Sequence, residues 1–423
     1  MGTKVYHPRA RVMLEVLLEG REDTLTLDVE PREIEVTRNP PREADTCRVV
    51  LEYRHLPLDP RSVRGILLGG FLGDVADVGD DLGTGTETRS FIGPADSPAT
   101  ELSEDGETVT VEARDYTALF LDQPWATTID LRGKTLGQVV RKVVAAVPGA
   151  AGLTVAFDGD SESLRTADLV GRSRWTPQER DDAWTVLTEL CGLLGYLPVV
   201  ELDTLRVTTI EALGSREAFL LYGEDVHRLT YRRQAREVTT GQIKVVCWNG
   251  NQRQALVAVY PATPAQTRVA IGPAGVETAD GRVIEHHVHG TYTQQDLDIL
   301  AERLYAEVVR SQLDGEFETR EMEDLDEATD LTRLAAGDVL HLALGKDDPS
   351  VISGMSHGEA VAYLSAGPRG LDEQVAEAVV SAWEHAEATA STFLVSQATH
   401  RWRADEGYTL AVEFQSFVGA SDA

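Results

Sequence analysis

The sequence contains few cysteines, few lysines and no long apolar run. The three cysteines among its 423 residues, Cys47, Cys191 and Cys247, are far apart, and each lies in an apolar or strand-like stretch. This scattered, odd-numbered set predicts buried free thiols and folding in a reducing cytoplasm. No segment approaches the roughly 20 apolar residues that cross a bilayer, and the first residues lack the apolar segment of a secretory signal.

Positive charge is also scarce. The chain has 39 Lys and Arg residues against 70 Asp and Glu residues, a formal net charge of −31. A surface this negative repels phosphate backbones and anionic lipids, which argues against tight binding to nucleic acid or a membrane. The apolar fraction of 42% is ordinary for a globular protein, and the length predicts two to four domains.

Residues 1–118 have the pattern of short strands separated by turns. Apolar and polar residues alternate most clearly at residues 108–113, with Val109 and Val111 on one face. Strands are predicted at residues 11–18, 24–29, 33–38, 47–53, 62–75 and 108–113. Turns or irregular segments are predicted at residues 19–21, 79–86 and 93–103. This succession is typical of an antiparallel sheet or barrel.

Residues 119–200 instead predict a small α+β module. Thr135 and Gln138 have the spacing of a capping box, and the apolar residues that follow recur on one helical face until Pro148. A second helix is predicted to begin near Asp182 and to end at Gly195. A hairpin around Asp203-Thr204 then joins predicted strands at residues 197–200 and 205–210.

The rest of the chain is mostly strand-like, with one helix after Thr293. Asn249-Gly250 predicts a tight hairpin turn, and the alternation of residues 408–414 predicts a closing strand. Further strands are predicted at residues 219–221, 229–231, 243–248, 255–260, 315–322, 338–344 and 393–398. Residues 346–391 are interpreted as a partly helical insertion. Its predicted apolar stripe consists of Val375, Ala378, Val379, Ala382 and Ala386.

One cluster contains candidate metal ligands, His286-His287-Val288-His289. On a strand, His287 and His289 share one face and His286 points the other way. Two histidines at this spacing are able to ligate Zn²⁺, but a site needs three or four ligands, and no cysteine lies nearby. Ordinary strand histidines are therefore the favoured interpretation, with His287 and His289 as the alternative metal ligands.

No catalytic constellation stands out elsewhere. The chain has no G-x-S-x-G motif, and its carboxylates are too numerous for a general acid and base to be chosen by spacing. The Gly- and Asp-rich segment 79–86 lacks the spacing of a calcium loop and the lysine of a phosphate loop. We therefore expect no enzyme activity and no cofactor, and a role in assembly.

Several short motifs follow one another in a fixed order along nearly the whole chain. In the first half the motifs are Val109-Thr110-Val111-Glu112-Ala113-Arg114-Asp115-Tyr116, Leu136-Gly137-Gln138-Val139-Val140, Asp182-Ala183-Trp184, Gly195-Tyr196 and Leu205-Arg206-Val207. In the second half they are Leu300-Ala301-Glu302-Arg303-Leu304-Tyr305, Gly315, Glu318-Thr319, Ala336-Gly337-Asp338-Val339-Leu340 and residues 408–414. Their order and spacing resemble the phage late control D family, the baseplate hub proteins of contractile tails and injection systems, related to the N-terminal part of type VI secretion spikes.

This resemblance implies an α+β, mostly antiparallel β fold with two related tube-like β-barrel domains. The first barrel would comprise residues 1–115 with 203–235, and the second residues 236–345 with 392–423. Residues 116–202 would form the peripheral α+β module, and residues 346–391 the insertion. Family members assemble as homotrimers, so that three copies would present six similar domains around a channel.

The resemblance also implies partners. A hub joins the hexameric inner tube to a trimeric spike, contacts baseplate wedge components, and lets DNA or a protein effector pass without tight binding. An acidic lumen would suit that passage, because it repels phosphates at short range. The chain would be made in a bacterial or archaeal cytoplasm and then enter a phage tail or injection particle. The alternatives are a metal-dependent hydrolase using the His286–His289 cluster, or a tail-tip receptor or fibre binding module with exposed aromatic clusters.

Overall fold

A computed structural model describes most of the chain. It describes all residues except 1–4, 7, 42, 56–59, 74–88, 104–105, 167–173, 178–180, 210–211, 215–216, 222–225, 234–239, 250–253, 267, 273–274, 289–293, 311–312, 320–324, 327–330, 344–354, 367–371, 378–379, 382–391 and 417–423.

Strands make up most of the regular structure. The strands up to residue 208 are β1 Val5–Tyr6, β2 Arg9–Leu18, β3 Leu25–Val29, β4 Glu33–Arg38, β5 Thr46–Glu52, β6 Val63–Gly73, β7 Arg89–Ser103, β8 Gly106–Arg114, β9 Ile129–Asp130, β10 Thr154–Phe157, β11 Arg174–Trp175, β12 Leu197–Glu201 and β13 Thr204–Thr208. The later strands are β14 Glu217–Leu221, β15 Val226–Arg233, β16 Thr240–Asn249, β17 Gln254–Tyr260, β18 Arg268–Gly272, β19 Gly275–Ala279, β20 Arg282–Val288, β21 Leu313–Thr319, β22 Leu325–Asp326, β23 Val339–Ala343, β24 Thr392–Arg403 and β25 Gly407–Ser416.

The helices are fewer and short. The α-helices are α1 Thr117–Leu121, α2 Leu136–Ala146, α3 Ala183–Leu193, α4 Gln294–Arg310 and α5 His357–Ala366. The 3₁₀ turns are Tyr53–His55, Pro60–Ser62, Ala150–Gly152, Ser161–Ser163 and Leu331–Arg333. The predicted fold class, α+β with mostly antiparallel strands, is therefore confirmed.

One 13-stranded sheet runs through both halves of the chain. Its order is β15-β21-β25-β24-β4-β5-β8-β7-β6-β2-β3, with β14 and β23 branching from β24. All pairs in it are antiparallel except β14 with β23. Among the described strands these pairings do not close into a ring, so closure of either half into a barrel stays a prediction.

The two halves of this sheet share one strand plan. In the first half β4, β5, β8, β7, β6 and β2 are neighbours in that order. In the second half β15, β21, β25, β24, β23 and β14 are neighbours in the same order, and each set occurs in the same sequence along the chain. The one difference is that β2 runs antiparallel to β6 whereas β14 runs parallel to β23.

The hairpins at the centre of each half match in detail. The register of β7 against β8 skips Asp96, and the register of β24 against β25 skips Ser396, so both hairpins carry a bulge at the same place. Residues that pair from strand to strand also correspond in the two halves. In the first half, one such row across β7, β8, β5 and β4 consists of Pro98, Val111, Val49 and Ile34. In the second half, the equivalent row across β24, β25, β21 and β15 consists of Ala398, Val412, Phe317 and Leu229.

Strand β7 corrects the prediction of an irregular segment at residues 93–103. Its first part pairs with β6, and its part beyond Ala95 pairs with β8 alone. Pro98 obscured the strand pattern because proline lacks a backbone donor, yet it sits where one side of β7 has no described partner strand. The predicted loop at residues 79–86 lies outside the described residues.

The two helices predicted for the α+β module are confirmed. Thr135 Oγ1 accepts from Gln138 N at 3.3 Å and Gln138 Oε1 accepts from Thr135 N at 3.3 Å, which completes the capping box of α2. Asp182 caps α3 by accepting from Thr185 N at 2.6 Å, and Gly195 after that helix has a φ of +88°. The predicted apolar faces of both helices are buried in one core with Leu205 and Val207.

The hairpin and the strands at residues 203–235 are placed differently from the predicted division. β13 pairs with β12 and β10 inside the α+β module, whereas β14 and β15 pair with β23 and β21 of the second half. Residues 203–235 therefore form no described strand pairing with residues 1–115. The hairpin turn is Leu202-Asp203, because Thr204 already pairs with Glu201.

A separate three-stranded sheet, β17-β16-β20, packs against α4. The predicted helix after Thr293 is confirmed, and its Leu297, Ala301 and Tyr305 are buried against β16. Asn249 is not a turn residue, as the Asn249-Gly250 prediction had it, but a strand residue paired with Gln254. Gly250 lies outside the described residues.

The 346–391 segment contains a helix that the sequence analysis missed and a helical face that it misplaced. In α5, Ala360, Val361 and Leu364 are buried together with Ala376 and Val380. Residues 373–377 and 380–381 are helical, but Val375 is 49% exposed, so the stripe predicted from Val375 was wrong. The remaining members of that stripe have no described side chain.

All three cysteines are buried free thiols, as predicted. Burial raises the pKa of the Cys191 thiol to about 12, and it also raises the pKa of Cys47. Of the helices in the described residues, none combines the length and the apolar character that a bilayer span requires.

Candidate assembly surface

The two halves of the sheet meet where β4 pairs with β24. Ile34 lies opposite Trp402, Glu35 opposite Arg401 and Glu33 opposite Arg403. Strand β24 is therefore hydrogen-bonded into the first half of the protein. The alternating residues 408–414 lie in β25, which pairs with β24 and β21 of the second half, as predicted for a closing strand. We call this pairing of β4 with β24 the joint.

Opposite charges face each other across the joint. Arg401 Nε donates to Glu35 Oε2 at 2.8 Å and lies 3.6 Å from Glu33 Oε1. Arg403 Nε lies 3.5 Å from the other oxygen of Glu33. Opposite-charge pairs across strands stabilise a register, so the acidic edge of β4 and the basic edge of β24 fix how the halves align.

Trp402 is the apolar centre of the joint. Its ring packs against the buried core of the first half and against that of the second. Its indole Nε1 donates to Pro8 O at 3.1 Å, which satisfies the one polar atom of the side chain. This tryptophan therefore ties both cores and the N-terminal segment together.

Asp115 is a buried carboxyl group at the end of β8, and the partly buried Asp45, directly before β5, lies beside it. Asp115 Oδ1 accepts from Thr117 N at 2.9 Å and so supports the start of α1, while Asp115 N donates to Asp45 O at 2.9 Å. Burial and the nearby Asp45 charge raise the pKa of Asp115 to about 8. Burial raises the pKa of Asp45 as well, although Arg38 Nη1 lies 2.6 Å from its Oδ2 and opposes that rise.

A close backbone approach holds β7 against the same corner. A Cβ atom added to Gly93 would lie 2.0 Å from Arg114 O. Only glycine permits this contact without a shift of backbone. The corner of Gly93, Arg114 and Asp115 is thus structural, and it explains why the strand ends and the helix begins here.

The α+β module docks on the outer face of the first half through its hairpin. Leu202 has a φ of +54° and packs against the cluster of Met13, Phe71 and Ile92. A left-handed conformation at a leucine is unfavourable and persists only when surrounding contacts determine it. On another side of the module, Arg303 Nη1 of α4 donates to Gly192 O at 3.2 Å, at the end of α3.

The candidate metal ligands do not form a site among the described residues. His287 is exposed on β20 and lies 3.4 Å from Glu285, which also lies 3.3 Å from Lys244. His286 faces the opposite side of the strand, as predicted, and His289 lies outside the described residues. No group of three His, Cys, Asp or Glu residues in the described part of the chain has the geometry to hold a metal ion.

No family model and no curated protein matches the sequence. Solved structures do match the fold over nearly the whole chain. A tail protein from Neisseria meningitidis MC58 has a TM-score of 0.58 at 10% identity, with 96% of each chain covered. The 43 kDa tail protein of prophage MuSo2 from Shewanella oneidensis has a TM-score of 0.55 at 12% identity, covering 96% of this chain and 98% of that one. A chain of a PdpA–VgrG complex has a TM-score of 0.50 at 8% identity, covering 100% of this chain and 66% of that one.

At these identities the likeness establishes a shared fold. The chain shares the fold of these two tail proteins over 96% of its length. Function does not follow from fold alone, so it has to be argued from the surfaces that the fold presents.

Proposed function

We propose that the protein is the baseplate hub of a contractile tail or injection system. Three copies form a ring that joins the hexameric inner tube to a trimeric spike. The observation that carries the proposal is the shared strand plan of the two halves, because two similar units per chain convert three copies into six similar positions. The fold shared with phage tail proteins supports the same role.

The ring uses sheet edges for assembly. The joint shows that the two halves of one chain associate by strand pairing and opposite charges. Head-to-tail contacts of one kind close into a ring when the rotation per step permits it. We assign residues 1–115 to the first tube-like domain, residues 217–343 with 392–416 to the second, residues 116–208 to the peripheral module and residues 346–391 to an insertion.

The partners in this proposal are the tube ring above, the spike below and the baseplate wedge components around the module. A VgrG protein is named in the complex whose chain shares the fold, which supports a spike as neighbour. The net charge of −31 suits a conduit that DNA or a protein effector crosses without sticking. The protein catalyses no reaction and holds no cofactor in this role.

The two alternatives lack a supporting observation in the described residues. A hydrolase would need further ligands beside His287. The described ion-pair partner of His287 is Glu285, and Glu285 also pairs with the cation Lys244. A receptor-binding module would need a cluster of exposed aromatic rings. In the described part of the chain the strongly exposed aromatic side chains are Trp248 and Tyr363, on β16 and α5, which belong to different units.

The proposal is tested by co-purification. The chain, carrying a terminal affinity tag, is expressed in its source cells, and its complexes are isolated and identified by mass spectrometry. We expect tube and spike proteins in amounts that correspond to three hub chains for each spike trimer. A charge-reversed chain, Arg401→Glu, serves as the matched control and should recover less of both. Recovery of the tagged chain alone, from cells that release complete particles, would contradict the proposal.

A further inference from the structure

Two of the strand edges in the large sheet that have no described partner strand are the counterparts of the joint. The part of β7 beyond Ala95 pairs with β8 on one side only, and β15 is the terminal strand of the sheet order. In the shared plan, β7 corresponds to β24 and β15 corresponds to β4. The strands that pair in the joint therefore have equivalents, β7 and β15, and each of these has an edge that no described strand covers.

We propose that β7 of one chain pairs antiparallel with β15 of a second copy, in the register of the joint. This inference rests on the proposed ring and identifies the surface that forms it. Leu102 corresponds to Trp402 when positions are counted from the bulge, and Leu229 corresponds to Ile34 along the paired rows. Because Trp402 lies opposite Ile34, Leu102 lies opposite Leu229 of the neighbouring copy.

The charges at these edges are complementary, with the signs exchanged. In the joint, Arg401 on β24 faces Glu33 and Glu35 on β4. At the position of Arg401, β7 carries Glu101. On β15, Arg228 stands at the position of Glu33 and Thr230 at the position of Glu35. In the register of the joint, Glu101 lies opposite Thr230, between Arg228 and Arg232, which are two residues away on either side. Both arginines are exposed, and within the chain they approach only Glu316 among described ion-pair partners, at 4.0 and 3.6 Å. In the joint and in the proposed contact alike, an acidic strand thus meets a basic strand. Wrong pairings, of β7 with β4 or of β15 with β24, would bring like charges together and are disfavoured.

The apolar side of the β7 edge is uncovered. Leu102 is 63% exposed, the largest exposure among the large apolar side chains in the described residues. Its counterpart Trp402 touches two cores, because the partner strand brings the second one to it. Leu229 is partly buried against the core of the second half. Pairing of the two edges would place Leu102 on that core, as Trp402 is placed in the joint.

An unpaired strand edge invites association, so natural proteins cover it or direct it to a defined partner. Here the joint links the first half to the second through β4, and β15 would link the second half to the next copy through β7. The contact is head-to-tail, and its repetition closes a ring or extends a filament. Successive halves around the ring would then be joined by the same strand pair each time.

Disulfide trapping between copies tests this register. One tagged chain carries Leu102→Cys and one untagged chain carries Leu229→Cys, so a link between the two forms only across an interface. The three native cysteines are buried, which keeps background oxidation low. The matched control replaces Leu229→Cys by Val257→Cys, at a valine that is 40% exposed on β17. We expect the mixed disulfide of the first pair to form at least tenfold more than that of the control.

Charge reversal gives a second readout that depends on no cysteine. Glu101→Arg and the double variant Arg228→Glu, Arg232→Glu should each reduce the assembled fraction at a given concentration. The combination of all three changes should restore it.

The outcomes separate this inference from the proposed ring. Equal trapping at residues 229 and 257, or a triple charge variant no better than the single ones, overturns the strand pairing. If the wild-type chain then still has the mass of three copies by light scattering, the ring survives and uses another surface. A wild-type mass of one copy, both alone and with the spike, together with no preferential trapping, overturns both.

Discussion

Arg401 and Glu35 are separated by 366 positions in the sequence, and Arg401 Nε donates to Glu35 Oε2 at 2.8 Å. This contact connects the last hairpin of the chain to its fourth strand. It belongs to a charged row that also includes Glu33 and Arg403. The two halves of the protein are thus held in register by residues from opposite ends of the sequence.

Reversal of one charge at the joint should weaken the contact between the halves. Arg401→Glu places a third carboxylate beside Glu33 and Glu35, and we expect a loss of about 1–3 kcal/mol in the free energy of unfolding. The reciprocal change, Glu35→Arg, made in the Arg401→Glu background, should recover part of this loss. Urea unfolding of the two single variants and the double variant measures the coupling. Strictly additive effects would show that the charges do not interact.

The Asp115 carboxyl predicts a specific pH dependence. Its pKa is about 8 in the folded protein against 3.8 for the free group. The folded state therefore holds a proton that the unfolded state has released, and stability falls as pH rises from about 4 to about 8, by up to about 1.4 kcal/mol for each pH unit.

Asp115→Asn keeps the acceptor for Thr117 N and removes the titration. We expect the melting temperature of this variant to fall less than that of the wild type between pH 5 and pH 8. Repulsion among the acidic surface residues also changes stability with pH, but it does so equally in both proteins, so the difference between their melting temperatures reports on Asp115. Parallel melting curves against pH would show that Asp115 is already ionised in the folded protein.

A side chain at Gly93 should clash with β8, and the same substitution at Gly65 is the control. Gly93→Ala drives a methyl group into the Arg114 carbonyl, and we expect a loss of about 3 kcal/mol or more. Gly65→Ala, in β6, adds its methyl group to open space, because no atom lies within 4 Å of that position. Chemical unfolding should leave the Gly65 variant within about 1 kcal/mol of the wild type. Equal losses in both variants would mean that the close approach at Gly93 is relaxed by movement of β8.

Leu202 contributes to the docking of the α+β module. The substitution Leu202→Asn changes stability through two opposite effects, and the sign of the change in the free energy of unfolding shows which effect is larger. Asparagine tolerates a φ of +54° better than leucine, so relief of the backbone would stabilise the variant. Loss of the contact with Met13, Phe71 and Ile92 would destabilise it by about 1–2 kcal/mol. We expect the second effect to prevail in urea unfolding. A variant more stable than the wild type would show that the side chain contributes little to docking.

Elements of secondary structure whose signals lie within a few residues could be predicted from the sequence. The capping box of Thr135 and Gln138, the cap at Asp182 and the alternation of residues 408–414 each depend on neighbours in the chain, and each was predicted. Strand β7 was missed because Pro98 hides its pattern, although a proline is compatible with a strand that is paired on one side. The helix face at Val375 was misplaced because alanines and valines on adjacent faces give no clear period.

Long-range pairing could not be predicted from residue patterns. Neither Glu35 nor Arg401 indicates its partner, and the segment 203–235 was assigned to the wrong set of strands for the same reason. The relation between the halves is also hidden in the sequence, because corresponding residues differ in kind, Leu102 with Trp402 and Glu101 with Arg401. Only the order of pairings and the position of the bulge reveal it.

A three-membered ring with a channel would be visible in images of the purified protein. Electron microscopy of the protein at high concentration, or bound to its spike, should show three copies of the 46.1 kDa chain around a hole, with six similar halves of a sheet facing the axis. Single compact particles without a hole, both alone and with the spike, would contradict it.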